Sequence, residues 1–281
     1  MNYELIRMII AILFTSMAAS YDIFNKKNIP DLLLYSFLGC AILISIIDFN
    51  FHLLIYSLII AGVIGTVGYL LYKAGQLGGA DVFILCSLSL LLPIQPRLNN
   101  SNTILNLPFI FSILFVAGLF FIIYVLIKFT PIILKRKEKL EIKKIIYTLP
   151  VLFAFIFFLV MAPSIKIPNI FIILIGFFVF VSIYFSIFKD RFMKALIEEL
   201  PLDKIECEDV IAIEYMDEKL VKKYSIPRVI SEEDLKNLKG INIKKYPVYS
   251  KLPMFVPFIL IGLLISLYFG DILYLLTTSL I

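Results

Sequence analysis

Long apolar runs, separated by short polar connections, dominate this 281-residue chain. Each run measures about 15–22 residues, the length at which a helix crosses roughly 30 Å of hydrocarbon. Only 17% of the residues are charged and 61% are hydrophobic, whereas soluble domains carry about 25% charged and roughly 45–50% apolar residues. The sequence therefore excludes an ordinary soluble enzyme and predicts an all-α polytopic membrane protein.

About eight transmembrane helices are predicted, at residues 4–21, 32–48, 52–72, 79–94, 108–128, 147–163, 168–188 and 254–272. A polar stretch, 189–253, precedes the last helix and holds 13 of the 26 basic and 13 of the 21 acidic residues. The stretch predicts an amphipathic helix over Lys189–Leu200 that stops near Pro201, alternates like a strand over 209–215 and is helical over 231–238. This pattern favours a small α/β insert.

We therefore expect four parts along the chain. They are an N-terminal transmembrane bundle (1–128), a basic loop with a transmembrane hairpin (129–188), the polar insert (189–253) and a C-terminal transmembrane helix with its tail (254–281).

The basic residues predict the orientation of the helices. Connections 22–31, 73–78 and 128–146 carry ten lysines and arginines, and the connections on the opposite side carry three. The richer side faces the cytoplasm in membrane proteins. We therefore expect a multi-pass protein of the cell membrane, surrounded by lipid, with the polar insert in the cytoplasm.

Several other classes of function are disfavoured by the residues present. The chain has a single histidine, His52, and three widely separated cysteines without a CxxC pair, so we expect no metal ion, no cofactor and no disulfide framework. The net charge is +5, but the basic residues lie mostly between apolar runs, as membrane topology requires, rather than on one soluble face. We therefore expect no nucleic-acid partner.

Two aspartates are predicted at the cytoplasmic ends of membrane helices, where acids are costly and often functional. Asp22 ends the first run, after Ala18 and Ala19 on the same helical face, and Asp81 follows Gly78-Gly79-Ala80. Small neighbours leave room for a backbone to approach. If the two helices are neighbours, one carboxyl can stay protonated while the other activates a water molecule. Alternatively, each acid merely caps or flanks a helix end.

A third acid, Asp271, follows Gly270 in the last predicted span. That span enters from the cytoplasmic side near Met254, and at 1.5 Å per residue Asp271 lies about 25 Å further along. We therefore expect Asp271 at the outer interface and outside any site that includes Asp22 and Asp81.

Two segments resemble the conserved blocks of type IV prepilin peptidases. Tyr21–Asp31, which contains Asp22 and, seven residues later, Ile29-Pro30-Asp31, is similar to the first block. Gly78-Gly79-Ala80-Asp81 resembles the second block, Gly-x-Gly/Ala-Asp, in the form common in archaeal preflagellin (archaellin) peptidases. The last span, Pro253–Ile272, is similar to the final span of those enzymes.

The resemblance implies an intramembrane GxGD-type aspartic protease. The matching positions would make Asp22 and Asp81 the catalytic dyad within 1–128, with Gly78, Gly79 and Ala80 shaping the approach or binding substrate. Such enzymes remove short basic leader peptides from archaellin or pilin-like precursors at the cytoplasmic membrane face, so a precursor protein is the implied partner. The cysteine-rich insert of the methylating bacterial relatives is absent here, and methylation is not expected.

Three other interpretations remain open. A transporter could use Asp22 and Asp81 to bind protons or a cation, although transporter acids usually lie near the bilayer midplane. A presenilin-like intramembrane protease shares the Tyr-Asp and Gly-x-Gly-Asp elements but places its dyad far along the chain. A non-catalytic membrane scaffold could use 189–253 as a docking face.

Overall fold

The computed structural model describes residues 3–25, 28–48, 50–96, 107–135, 142–165, 167–238, 243, 245–250, 252–270 and 272. Within these ranges the chain forms ten α-helices and two short strands. In chain order the elements are α1 (Tyr3–Phe24), α2 (Asp31–Ile47), α3 (Phe51–Lys73), α4 (Gly79–Leu91), α5 (Phe109–Lys135), α6 (Ile142–Ile165), α7 (Asn169–Leu196), β1 (Glu198–Leu200), α8 (Glu218–Tyr224), α9 (Glu232–Leu238), β2 (Tyr246–Val248) and α10 (Val256–Phe269).

Every predicted span coincides with an apolar helix. Within the described ranges, five of these helices, α1, α3, α5, α6 and α7, are long and apolar enough to cross a membrane. Helices α2, α4 and α10 are apolar but shorter, with 17, 13 and 14 residues. The helical membrane-protein class is consistent with this architecture, and the number of eight crossings stays a prediction.

The chain divides into two compact units. The first comprises Met1–Ile122 and Ile197–Ile272, and the second comprises Ile123–Leu196 and Leu273–Ile281. The first boundary falls inside α5.

Helix α4 is the centre of the first unit's helical bundle. It packs against α1, α2 and α3, and α1 also packs against α2 and α10. The side chains of Ile84, Leu88 and Leu91 on α4 are fully buried. Because its surface is covered by three other helices, α4 needs no polar face and is apolar nearly all round.

The buried side of α1 is a stripe of mostly small residues at helical spacing. It includes Met8, Ala11, Thr15, Ala18, Ala19 and Asp22. Spacings of three and four residues place these side chains on one face, and the short alanine side chains allow neighbouring helices to approach closely. The sequence of α1 therefore directs Asp22 toward the interior of the bundle.

The polar insert has its own small apolar core inside the first unit. Strands β1 and β2 pair antiparallel, with Glu198 opposite Val248 and Leu200 opposite Tyr246. The core beside them consists of Ile205, Ile211, Ile226, Ile230, Leu238, Tyr246 and Val248. The predicted α/β character of the insert is thus present, although its sheet has only two short strands.

Two details of the insert differ from the sequence prediction. The helix expected at 189–200 is not separate and is shorter: residues 189–196 extend α7 to Leu196, because most of them are good helix formers, whereas Glu198–Leu200 form β1 by pairing with β2. The strand expected at 209–215 is reduced to single bridges, Val210 with Val229 and Ile211 with Val248, followed by a 3-10 turn at Ile213–Tyr215. The helix expected at 231–238 is confirmed as α9.

In the second unit, α6 packs against α7. A Cβ at Gly176 of α7 would lie 3.2 Å from Cζ of Phe155 of α6, so the glycine permits the close contact of the two helices. Thr130 and Tyr184 share a hydrogen bond of 2.9 Å between their hydroxyl groups. The basic loop expected between residue 129 and the span at 147 is shorter than predicted. Residues 129–135 continue α5 and residues 142–146 belong to α6, whereas residues 136–141 lie outside the described residues.

Candidate functional site

Asp22 lies in the last turn of α1, two residues before the helix ends at Phe24. Its side chain is buried, with 5% of the residue exposed, although its neighbours Tyr21 and Ile23 are exposed. A buried carboxyl group is costly unless its surroundings compensate it. Asp22 therefore flanks a helix end, as one interpretation of the sequence expects, but it does so inside the bundle rather than in solvent.

Asp81 is the third residue of α4. The backbone N–H of Gly78 donates a hydrogen bond of 3.0 Å to its Oδ2. The side chain thus reaches back to the residue before the helix, which is the carboxylate half of a capping box. Asp81 therefore caps α4, and its hydrogen bond with Gly78 fixes the direction of the carboxyl group.

The structure brings the two aspartates together. Helix α1 packs against α4, and the carboxyl of Asp22 is near enough to act electrostatically on the carboxyl of Asp81. An aspartic dyad requires two neighbouring carboxyl groups that share one proton. One protonated and one ionised carboxyl are the chemical requirement for activating water. The catalytic role of the pair stays a prediction.

Gly78 and Gly79 are the two glycines of the predicted motif, and each lies against an acidic side chain. A Cβ at Gly78 would lie 3.1 Å from Oδ2 of Asp81, and a Cβ at Gly79 would lie 3.4 Å from Oε1 of Glu208. Ala80 is half-buried and packs against the apolar core. Because Gly78 and Gly79 lack side chains, the carboxyl groups of Asp81 and Glu208 can both approach the backbone before Asp81.

The insert contacts the loop between α3 and α4, which sequence reasoning missed. Gly75 adopts φ +67°, and a Cβ there would lie 2.8 Å from Cγ1 of Val210 and 3.3 Å from Nε of Arg228. Close approach and the left-handed backbone both require glycine here. Val210 and Arg228 follow Gly75 by more than 100 residues, and no local pattern signals such a contact.

The insert also contacts Gly79. Glu208 lies over Gly79, and the hydroxyl of Tyr72 donates to its Oε1 at 3.5 Å. The only sequence signal that could have drawn attention to Glu208 is its position in a strongly charged insert, which it shares with 12 other acids.

Some predicted features lie outside the described residues. Asp271, with its expected position at the outer interface, is one, and the basic pair Lys26-Lys27 is another. Among the residues that are described, no group of three or more histidine, cysteine, aspartate or glutamate side chains could hold a metal ion.

Comparisons with known proteins identify no relative: no protein-family model matches the chain, and no curated protein or solved structure matches it. The sequence and structure of the chain are those of a helical membrane protein.

Proposed function

We propose that the protein is a membrane aspartic endopeptidase that removes short basic leader peptides from archaellin or type IV pilin-like precursors. The observation that carries the proposal is that α1 packs against α4, with Asp22 buried in the last turn of α1 and Asp81 in the first turn of α4. The resemblance of Tyr21–Asp31 and Gly78–Asp81 to the prepilin peptidase blocks supports it independently.

The proposed reaction uses the aspartate pair as acid and base. The ionised carboxyl takes a proton from a water molecule, and the water oxygen attacks the carbonyl carbon of the scissile peptide bond. The protonated carboxyl donates to the carbonyl oxygen. When the C–N bond breaks, the carboxyl that took the water proton gives it to the leaving amine, and the other carboxylate takes back a proton from a hydroxyl of the tetrahedral intermediate. A new carboxyl group and a new N-terminus are released, and the pair again holds one proton.

The positions of the aspartates favour a peptidase over a transporter. Asp22 is near the end of α1 and Asp81 is near the start of α4. Acids that relay protons or bind cations in transporters usually lie near the midplane of the membrane. Acids at helix ends instead lie at the depth of the membrane surface from which a peptide approaches, which by the distribution of basic residues is the cytoplasmic one.

Co-expression tests the proposal directly. Membranes containing the wild-type protein and candidate precursors from the same genome should yield a shortened product whose new N-terminus is identified by mass spectrometry. The Asp81→Asn variant should yield none. Asp203→Asn makes the same chemical change at an exposed position of the insert and should cleave like the wild type.

Two results would contradict the proposal. A shortened product that also forms in membranes lacking the protein would show that another protease of the host is responsible. Failure of the wild type to cleave any precursor, combined with proton- or cation-coupled uptake into vesicles that Asp81→Asn abolishes, would establish the transporter instead.

A further inference from the structure

The insert places one acidic side chain beside the loop that precedes Asp81. This side chain is Glu208, whose carboxylate lies over Gly79, two residues before Asp81. Gly75, at the other end of the same loop, is in contact with Val210, two residues after Glu208. These two contacts hold residues 208–210 of the insert against the Gly75–Gly79 loop.

The backbone of Glu208 is held in a conformation that its residue type rarely adopts. Its φ is +70°, in the left-handed region that disfavours residues with a Cβ. The N–H of Glu208 donates a hydrogen bond of 2.8 Å to the carbonyl oxygen of Ile230, which anchors this backbone to the core of the insert. The carboxylate thus lies over Gly79 on a turn whose backbone is hydrogen-bonded to Ile230.

The carboxylate of Glu208 is exposed, and no lysine or arginine in the described part of the chain forms an ion pair with it. Its hydrogen bond comes from the hydroxyl of Tyr72, a neutral group. Glu214 in the same insert differs, because Arg228 and Tyr249 both donate to it. Among the described residues, the negative charge of Glu208 is therefore not balanced by an ion pair, and it lies over Gly79, two residues before Asp81.

We propose that Glu208 is a specificity-determining residue that binds a lysine or arginine side chain of the peptide substrate. This inference rests on the proposed function. A peptide whose scissile bond lies between Asp22 and Asp81 passes close to Gly79, two residues before Asp81. A basic side chain a few residues from that bond then meets the carboxylate of Glu208, and a charge-assisted hydrogen bond forms between them.

This role accounts for the position of the insert. Residues 197–253 bring an acidic side chain to a loop that the membrane helices alone leave without one: apart from Asp81, the segment 73–82 contains no acidic residue. The catalytic aspartates cut the peptide bond, whereas Glu208 selects which peptide is bound. Glu208 is in this view not a catalytic residue.

A charge-reversal experiment tests this role. The precursor that the wild type cleaves is prepared in its native form and in forms whose leader lysines or arginines are individually replaced by glutamate. Wild type, Glu208→Gln, Glu208→Lys and the control Glu206→Lys, which lies in the same exposed turn, are compared as purified full-length proteins. All the variants at position 208 keep a Cβ, so the backbone strain is the same in each.

We expect Glu208→Lys to raise KM for the native precursor by about tenfold, with kcat within about twofold of the wild type, as the loss of one charge pair implies. For the precursor with the matching leader residue reversed, Glu208→Lys should have a lower KM than the wild type. Glu206→Lys should discriminate like the wild type. Such a switch cannot come from a purely structural role, which would affect both precursors alike.

The possible failures are separable. If the wild type cleaves the native precursor but Glu208→Gln and Glu208→Lys respond to leader charge as the wild type does, the specificity role is overturned and the peptidase stands. The specificity role is likewise overturned if both variants lose activity equally on all precursors. If the wild type cleaves no precursor, the proposed function fails and this inference fails with it.

Discussion

The backbone N–H of Gly78 and the Oδ2 atom of Asp81 are joined by a hydrogen bond of 3.0 Å across the start of α4. The bond restrains the side chain of Asp81 at the positive end of the helix dipole, where a carboxylate is favoured. At the same place the carboxyl of Asp22 acts on it from α1. The side chain of Asp81 thus serves both as a helix cap and as one member of the aspartate pair. Substitutions can separate these two roles.

Asp22→Asn and Asp81→Asn should each reduce kcat by about 10²–10⁴-fold or more, because asparagine is nearly isosteric but can neither take a proton from water nor donate one as a carboxyl does. Both variants should remain folded, since the amide oxygen of an asparagine in place of Asp81 can still accept from the N–H of Gly78. Precursor cleavage and thermal unfolding in detergent measure the two effects. A well-folded variant that retains turnover would remove its aspartate from the dyad.

Gly78→Ala should reduce kcat by about tenfold to 10²-fold, since small displacements of a catalytic group have effects of this size. The backbone at Gly78, with φ −73° and ψ 149°, suits any residue. The expected damage comes from the new Cβ, 3.1 Å from Oδ2 of Asp81, which must move the carboxyl by a few tenths of an ångström.

Gly118→Ala is the matched control for this prediction, because a Cβ at Gly118 of α5 meets no atom within 4 Å. Its kcat should equal that of the wild type. If Gly78→Ala cleaves as fast as Gly118→Ala, the position of the Asp81 carboxyl does not limit the reaction.

The helices were predictable from the sequence and the insert's contacts were not. Runs of apolar residues determine where α1 to α7 and α10 lie, because the length of a run and its hydrophobicity are local properties. The burial of Asp22 was also foreseeable from Ala18 and Ala19 on its face. The contact of Glu208 with Gly79 joins residues far apart in the chain, and its geometry depends on a left-handed turn at Glu208 that its residue type does not signal.

The extension of α7 shows a similar limit. The charged residues from Lys189 onward suggest the start of a separate polar domain, yet the helix continues to Leu196. Composition changes where the chain leaves an apolar environment, whereas a helix can continue through charged residues that are good helix formers, such as lysine and arginine. The two boundaries need not coincide.

The dependence of cleavage on pH should be bell-shaped. The active form of the pair carries one proton, and two interacting carboxyls take up their protons in two separate steps. The rate should therefore fall when the pair loses its proton and when it gains a second one. Measurements of kcat/KM between about pH 4 and 9 check this, with Asp203→Asn as the control that keeps the wild-type profile. A flat profile would contradict the shared-proton mechanism.

Arg7 and Asp48 should stabilise the bundle without affecting catalysis. Their ion pair measures 3.0 Å, and Arg7 also donates to the carbonyl oxygen of Leu91 at 3.1 Å. The Arg7 side chain is 6% exposed and the Asp48 side chain 22%. Asp48→Leu leaves the more deeply buried charge without its partner and should cost about 3 kcal/mol, whereas Arg7→Met leaves a carboxylate that water can reach and should cost less.

Thermal unfolding of both single variants and of the double variant measures this pair. The double variant should be more stable than the sum of the single losses predicts, because neither charge is then left alone. Below the unfolding temperature, cleavage should match the wild type, since Arg7 lies about 22 Å along α1 from Asp22. A double variant whose loss equals the sum would show that the two residues act independently.

Tyr249 should make the stability of the insert depend on alkaline pH. Burial, together with the hydrogen bond that its hydroxyl donates to Glu214, raises the pKa of Tyr249 above its ordinary value. The folded insert thus favours the neutral phenol. The resulting stabilisation is complete below the pKa of an unfolded tyrosine, about 10, and it is lost as the pH rises above that value. The insert should therefore loosen above about pH 10.

Tyr249→Phe tests this assignment because it removes the titrating group and keeps the ring. At neutral pH the insert should lose about 1 kcal/mol, the usual contribution of one hydrogen bond, and the additional loss above about pH 10 should become smaller. Hydrogen exchange of peptides from the insert at about pH 8 and 10.5, corrected for the intrinsic exchange rate, measures both effects. Tyr224→Phe, at an exposed tyrosine of α8, should keep the wild-type response, because an exposed phenol is hydrated in both states. If Tyr249→Phe loosens between these two pH values as much as the wild type, the titrating group is another residue of the insert.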